Sequence, residues 1–115
     1  LRVNLGKDKA KEVLKKGGHF EQFTRNGIDD IEDIIAAEKL ISDGTFNNVN
    51  HATAVIKNDQ RMGRQDPNKM SKKTRDEWRD SFREDYIKAG ASARKAEDTV
   101  DKTMNLVHAL HKAKK

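Results

Sequence analysis

The 115-residue chain contains no cysteine and a single proline, and only 5% of its residues are aromatic. The absence of cysteine excludes disulfides and thiolate metal ligands. No apolar stretch approaches the roughly 20 residues that a membrane-spanning helix requires. The N-terminal residues also lack the basic, apolar and small-residue segments of a signal peptide. We therefore expect a soluble protein that does not span a membrane, and the sequence leaves its compartment unknown.

Large apolar residues are scarce, because Leu, Ile, Val and Phe together account for 23 of the 115 positions. This fraction is at the lower limit for a chain that buries enough surface to offset its ordering entropy. Charged residues make up 37% of the chain, with a net charge of +5. These values favour one small folded domain over residues 1–115 with a thin core. Because the chain starts at Leu1 and not at Met, we expect it to be part of a longer protein.

Apolar residues recur at spacings of three and four, which predicts an all-α fold. We expect a compact bundle of five to six helices with a long C-terminal helix. The main loop is predicted at residues 63–70, because this segment holds the only proline. The predicted helices are a first helix over 7–16, a short one around Phe20 and Phe23, one capped by Asp29, one capped by Asn47 or Asn48, one starting at Thr74, and one from about Ser92 onward.

The apolar faces of these helices predict which residues form the core. On the helix of residues 74–90, the aromatic side chains recur every four residues and are expected to pack inward. The predicted buried centre consists of Ile31, Ile34, Ile35, Ile41, Val55, Trp78, Phe82, Val100, Met104 and Val107.

Two segments of opposite charge stand out. Residues 28–44 contain six acidic residues and one basic residue, a net charge of −5. Residues 57–75 contain seven basic and two acidic residues, a net charge of +5, which equals that of the whole chain. Lys57, Arg61 and Arg64 are spaced to share one face of the predicted helix. This pattern predicts a nucleic-acid-binding segment whose phosphate contacts come from Lys57, Arg61, Arg64, Lys69, Lys72, Lys73 and Arg75.

The alternative interpretation is that these charges form a solvated surface or pair with the acidic helix of the same fold. The basic segment contains no aromatic residue that would stack on a base. Basic charge by itself does not separate the two interpretations.

Four histidines supply the other candidate site residues: His19, His51, His108 and His111. His51 lies in a segment rich in Asn that also contains basic and acidic residues, as a metal-independent ribonuclease requires. His19 follows two glycines and either begins a short helix or acts as a general base. The candidate catalytic residues of this alternative are His51, His19, Lys57, Asp59 and Arg61.

No motif predicts a metal or a cofactor. His108 and His111 are three residues apart, but the sequence defines no third ligand near them. The acidic residues 29–33 lack the spacing of a calcium loop. Phosphate-binding glycine loops and nucleophile motifs are also missing, so nucleotide hydrolysis and covalent catalysis have no support.

Three hypotheses follow. The first is a helical module that binds the phosphate backbone of RNA or DNA. The second is a small metal-independent nuclease, such as the C-terminal toxic domain of a bacterial secreted effector. The third is a structural domain that binds a protein partner, as a monomer or a dimer, through the apolar seam of residues 93–111. The sequence leaves open whether the protein is an enzyme and favours binding over catalysis.

Overall fold

The computed structural model describes residues 19–114, and these residues form an all-α fold without strands. The predicted bundle with a long C-terminal helix is confirmed. The helix predicted over residues 7–16 lies outside the described residues. The described part of the chain has no helix that is both long and apolar enough to cross a bilayer. Its helices are α1 (Phe20–Arg25), α2 (Ile31–Ser42), α3 (Val49–Arg61), α4 (Lys72–Lys88) and α5 (Ala93–Ala113), with a 3-10 turn at Pro67–Lys69.

Side-chain caps start four of these helices. Asn48 caps α3 and Ser92 caps α5, as predicted, because each side chain accepts a hydrogen bond from a backbone N–H of the first turn. Two predicted starts are wrong. The cap of α2 is Asp30, one residue after Asp29. Helix α4 begins before Thr74, because the hydroxyl of Ser71 caps it by accepting the backbone N–H of Thr74 at 3.2 Å.

Helix α5 lies at the centre of the bundle and packs against α2, α3 and α4. It has 21 residues, which corresponds to about 31 Å at 1.5 Å per residue. Its buried side chains recur at three and four residues and face the other helices, so a narrow apolar stripe suffices for the core. These side chains are Ala96, Val100, Thr103, Met104, Val107 and Leu110.

Two glycine turns return the chain to the core. Gly27 after α1 and Gly44 after α2 both have positive φ angles, which residues with a Cβ rarely adopt. In each turn an apolar residue then donates its backbone N–H to the preceding helix, Ile28 to Phe23 and Phe46 to Leu40, at 2.9 Å. The side chains of Ile28 and Phe46 are fully buried as a result.

The predicted core is confirmed in part. Ile34, Val55, Phe82, Val100, Met104 and Val107 are buried. Ile31, Ile35, Ile41 and Trp78 are half-buried at the edge of the core. The prediction missed the fully buried residues Phe23, Ile28, Phe46 and Ile56, of which the first three lie on α1 or in the turns.

Helix α4 is attached by one buried side chain and by polar contacts. Phe82 is its only buried residue, while Trp78 and Tyr86 are half-buried and pack against the core. Its polar contacts with α5 include a group that we call the interhelix ion pairs. They join Arg79 to Glu97 and Asp101, and Arg83 to Glu97. These hydrogen bonds raise the pKa values of Arg79 and Arg83 and lower that of Glu97.

Candidate functional site

The seven basic residues of the segment 57–75 divide into two groups. Lys57 lies on α3, Lys69 lies in the 3-10 turn, and Lys72 and Lys73 lie in the first turn of α4. All four lysines are exposed, and none forms an ion pair with a described residue. Their ammonium groups are therefore available to an external anion.

The arginines of the segment, in contrast, hold the fold together. Arg61 donates to Asp85 at 2.7 Å and to Ser81 at 3.0 Å, and its guanidinium lies over the ring of Phe82. Arg75 donates to the backbone carbonyls of Pro67 and Met70. These contacts fix the end of α3 and the loop against α4.

Arg64 does not continue the basic face of α3, so this part of the prediction is wrong. The helix ends at Arg61, and both Gly63 and Arg64 have positive φ angles. The reversal turns Arg64 towards α2, where it donates to Asp33 at 3.1 Å and to Asp30 at 3.3 Å. The hydrogen bond to Asp33 raises the pKa of Arg64. Arg64 therefore pairs with the acidic helix, as the alternative interpretation predicts.

His51 lies at the N-terminus of α3 and takes part in its capping. Its backbone N–H donates to Asn48, and its Nδ1 accepts the backbone N–H of Asn47 at 3.1 Å. Since Nδ1 is the acceptor, the proton of the neutral ring lies on Nε2. The ring also packs edge-on against Phe46. His51 is thus oriented to donate a hydrogen bond from Nε2.

A cleft of about 520 Å³ lies beside His51, between α3 and α5. Its floor includes the apolar side chains of Val55 and Leu106, and polar side chains such as Asn58 and Asn105 line it as well. A volume of several hundred Å³ matches a site for a small molecule or for one nucleotide unit. The cleft is therefore large enough to hold a ligand next to His51, one of the site residues predicted from the sequence.

His19, the second predicted histidine, lies elsewhere. Its Nδ1 contacts Glu38 Oε1 of α2 at 2.7 Å, and its backbone N–H donates to the same oxygen. The side chain is 42% exposed. His19 and His51 thus contact different groups, Glu38 of α2 and the backbone of Asn47. The carboxylate partner of His19 is 19 residues away in the sequence and could not be found from local spacing.

Asp59 lies in the interior and does not line the cleft. Its Oδ1 contacts His111 Nε2 at 2.5 Å, and its side chain is fully buried. Asp33 of α2 is also fully buried and contacts the ammonium of Lys114, which lies 3.9 Å from Asp59 Oδ2. We call Asp33, Asp59, His111 and Lys114 the buried carboxylate cluster. It connects α2 and α3 to the end of α5.

His108 forms a further histidine–carboxylate pair. Its Nδ1 lies 3.0 Å from Asp66 Oδ1. Burial opposes ionisation of Asp66, but the backbone N–H of Asn68 and the ring of His108 outweigh it, and the pKa of Asp66 is lowered. An ionised Asp66 favours the tautomer with a proton on Nδ1, which leaves Nε2 of the neutral ring as an acceptor. The neutral His108 ring can thus accept a proton at Nε2, whereas the neutral His51 ring carries its proton on Nε2.

Sequence reasoning missed Asp33, Asp66 and Lys114, and it treated His108 and His111 as a conceivable metal pair. In the structure these two histidines contact different carboxylates, Asp66 and Asp59. Within residues 19–114, no group of three or more His, Cys, Asp or Glu side chains is arranged to hold a metal ion.

No protein-family model, no curated protein and no solved structure matches this chain.

Proposed function

We propose that this domain binds nucleic acid through the phosphate backbone, by way of Lys57, Lys69, Lys72 and Lys73. The observation that carries the proposal is the division within the basic segment. Its arginines are engaged with acceptors of the fold, whereas its four lysines are exposed and have no ion-pair partner within residues 19–114. Lysine is suited to this role, because a mobile ammonium on a flexible stem follows a phosphate backbone without fixed geometry.

Lys57 and the other lysines approach opposite ends of α4. Arg61, one turn after Lys57, contacts Asp85 near the C-terminal end of α4, while Lys72 and Lys73 lie at its N-terminal end. Asp85 lies 13 positions after Lys72, a rise of about 20 Å along the helix. The proposed contact therefore involves several phosphates and not a single one.

The experiment that tests this proposal is a salt titration of binding to RNA and DNA oligonucleotides. Each phosphate contact lowers the logarithmic salt slope by about 0.9 on duplex DNA. The triple variant Lys69→Gln, Lys72→Gln, Lys73→Gln should therefore flatten the slope by about 2.7. The matched control replaces Lys39, Lys88 and Lys112, which are also exposed, and removes the same total charge. An equal effect of both variants, or no binding of the native protein at low salt, would overturn the proposal. The latter result would favour a protein partner.

A metal-independent nuclease is the second candidate, favoured by one observation. Asp66, which orients His108, lines a hollow of about 270 Å³ together with the exposed Lys69. Cleavage by the ribose hydroxyl requires a base and a cation near the same phosphate, and Asp66 both contacts His108 and lines the hollow that Lys69 lines. Cleavage of RNA in EDTA that disappears in His108→Ala, while binding remains, would support this candidate. The same assay with His51→Ala and His19→Ala tests the two histidines that the sequence predicted.

A further inference from the structure

The cleft beside His51 continues into a second hollow along α5. The second hollow has a volume of about 340 Å³ and shares two lining residues, Tyr86 and Thr99, with the first. Beyond Tyr86 it extends to Gly90 and Lys95, between the end of α4 and the start of α5. The two hollows together form one groove, which we call the α5 groove.

The charged side chains that line the α5 groove are all basic. Lys95 and Lys102 line it, and no carboxylate is among its described lining residues. Both lysines are exposed and lack an ion pair with any described residue. They are seven residues apart on α5, so they lie on nearly the same face and are separated by about 10 Å. This spacing matches roughly three stacked nucleotides.

An aromatic ring lies where the two hollows meet. The hydroxyl of Thr103 donates to the carbonyl of Thr99 at 2.8 Å. The hydroxyl of Tyr86 lies 2.7 Å from Thr103 Oγ1, and because the proton of Thr103 is already used, Tyr86 is the donor of this bond. The ring is thereby held in place between the two lysines. A fixed, half-buried ring next to apolar side chains is suited to stack on a planar base.

We propose that the α5 groove binds a single strand of nucleic acid, with a base on Tyr86 and phosphates on Lys95 and Lys102. This inference rests on the proposed function and specifies the substrate as single-stranded. A base can reach Tyr86 only when it is not stacked and paired within a duplex. His51 Nε2 at one end of the groove supplies a hydrogen-bond donor for a phosphate or for a base carbonyl.

The test compares a 10-nucleotide oligo(dT) strand with a blunt 10-base-pair DNA duplex, each titrated by fluorescence anisotropy. The variant Ala54→Glu places a carboxylate inside the groove at an exposed position of α3. The control Gln22→Glu adds the same charge at an exposed position of α1, outside the groove and outside the basic segment. We expect Ala54→Glu to weaken binding of the single strand by about tenfold, the loss of one base contact, and Gln22→Glu to have a smaller effect that is equal for both probes.

A second pair of variants tests the groove without a substitution at position 54, so that the test does not depend on the folding of Ala54→Glu. Lys95→Gln with Lys102→Gln should weaken single-strand binding more than Lys39→Gln with Lys112→Gln, which removes the same charge elsewhere. Tyr86→Phe should retain stacking, whereas Tyr86→Leu should lose the preference for the single strand. Circular dichroism checks that each variant is folded.

The two proposals fail differently. If the native protein binds neither probe at low salt, the proposed function fails. If it binds both probes, the triple lysine variant weakens binding, and the groove variants match their controls, then only the inference about the α5 groove is overturned.

Discussion

Two groups of contacts to carboxylates hold α5, and they differ in their surroundings. In the buried carboxylate cluster, Asp33 and Asp59 are fully buried. Among the interhelix ion pairs, Glu97 and Asp101 remain 43% and 56% exposed. A buried carboxylate that loses its partner retains its full desolvation cost, whereas an exposed one is rehydrated by water. Burial of the partner, and not the number of ion pairs, should therefore decide which end of α5 is sensitive to substitution.

The largest effect is expected from the buried carboxylate cluster. His111→Leu removes the hydrogen-bond partner of the buried Asp59 Oδ1 and leaves only the ammonium of Lys114, 3.9 Å from Oδ2, which should lower the free energy of unfolding by about 3 kcal/mol. The double variant Asp59→Leu with His111→Leu removes both polar groups and should recover most of this loss. Urea unfolding measures both values. If the double variant were as unstable as the single one, the loss would come from packing and not from an uncompensated charge.

A comparable loss of stability is expected from Phe82, the one buried side chain of α4. Phe82→Ala should cost about 3 kcal/mol or more, because it removes the apolar anchor of the helix and leaves a cavity. Ile87 of the same helix is 44% exposed and provides the control, since Ile87→Ala should change stability by about 0.5 kcal/mol at most. A cost below about 1 kcal/mol for Phe82→Ala would show that polar contacts alone hold α4.

A smaller effect is expected from Asp66, and it depends on pH. Its pKa in the folded state is lowered from the ordinary value of 3.8, so folding favours the ionised form. Its contribution to stability is present above pH 3.8 and disappears as the pH falls through the folded-state value. The difference in unfolding free energy between pH 7 and pH 3 should therefore be smaller in Asp66→Asn than in the native protein. An unchanged difference would show that other carboxylates account for acid destabilisation.

The smallest effect is expected from the interhelix ion pairs. Glu97→Gln breaks contacts to Arg79 and Arg83, but all three groups can be hydrated by water. We expect a minor loss of thermal stability at low salt that vanishes in 1 M NaCl, as screening predicts. A large loss that persists at high salt would show that the exposed interhelix ion pairs stabilise the fold as strongly as the buried carboxylate cluster does.

The helices could be predicted from sequence because their signals are local. Caps such as Asn48 and Ser92 act within one turn, and the apolar stripe of α5 is visible in three- and four-residue spacing. Phe46 was missed, because it follows a helix and is buried through a glycine turn that no periodicity describes.

The partners of charged residues could not be predicted in the same way. In the sequence, Asp33 resembles an ordinary acidic residue in the first turn of a helix. In the structure it accepts a hydrogen bond from Arg64, which lies 31 positions later. The pairs His108–Asp66 and His111–Asp59 span 42 and 52 positions. Nothing in local sequence distinguishes such an aspartate from a solvated one. The basic segment was visible as a charge excess, but its division into engaged arginines and free lysines depends on tertiary contacts.

The positions of Trp78 and Tyr86 determine what intrinsic fluorescence can report. They are the only tryptophan and the only tyrosine of the chain, and both lie on α4. Trp78 is 6.0 Å from the ring of Phe82 and has the guanidinium of Arg61 at the same distance. Its emission therefore follows the departure of α4 from the bundle, whereas far-ultraviolet circular dichroism follows all helices together. An emission change that precedes the loss of helix signal during heating would show that α4 detaches before the other helices melt.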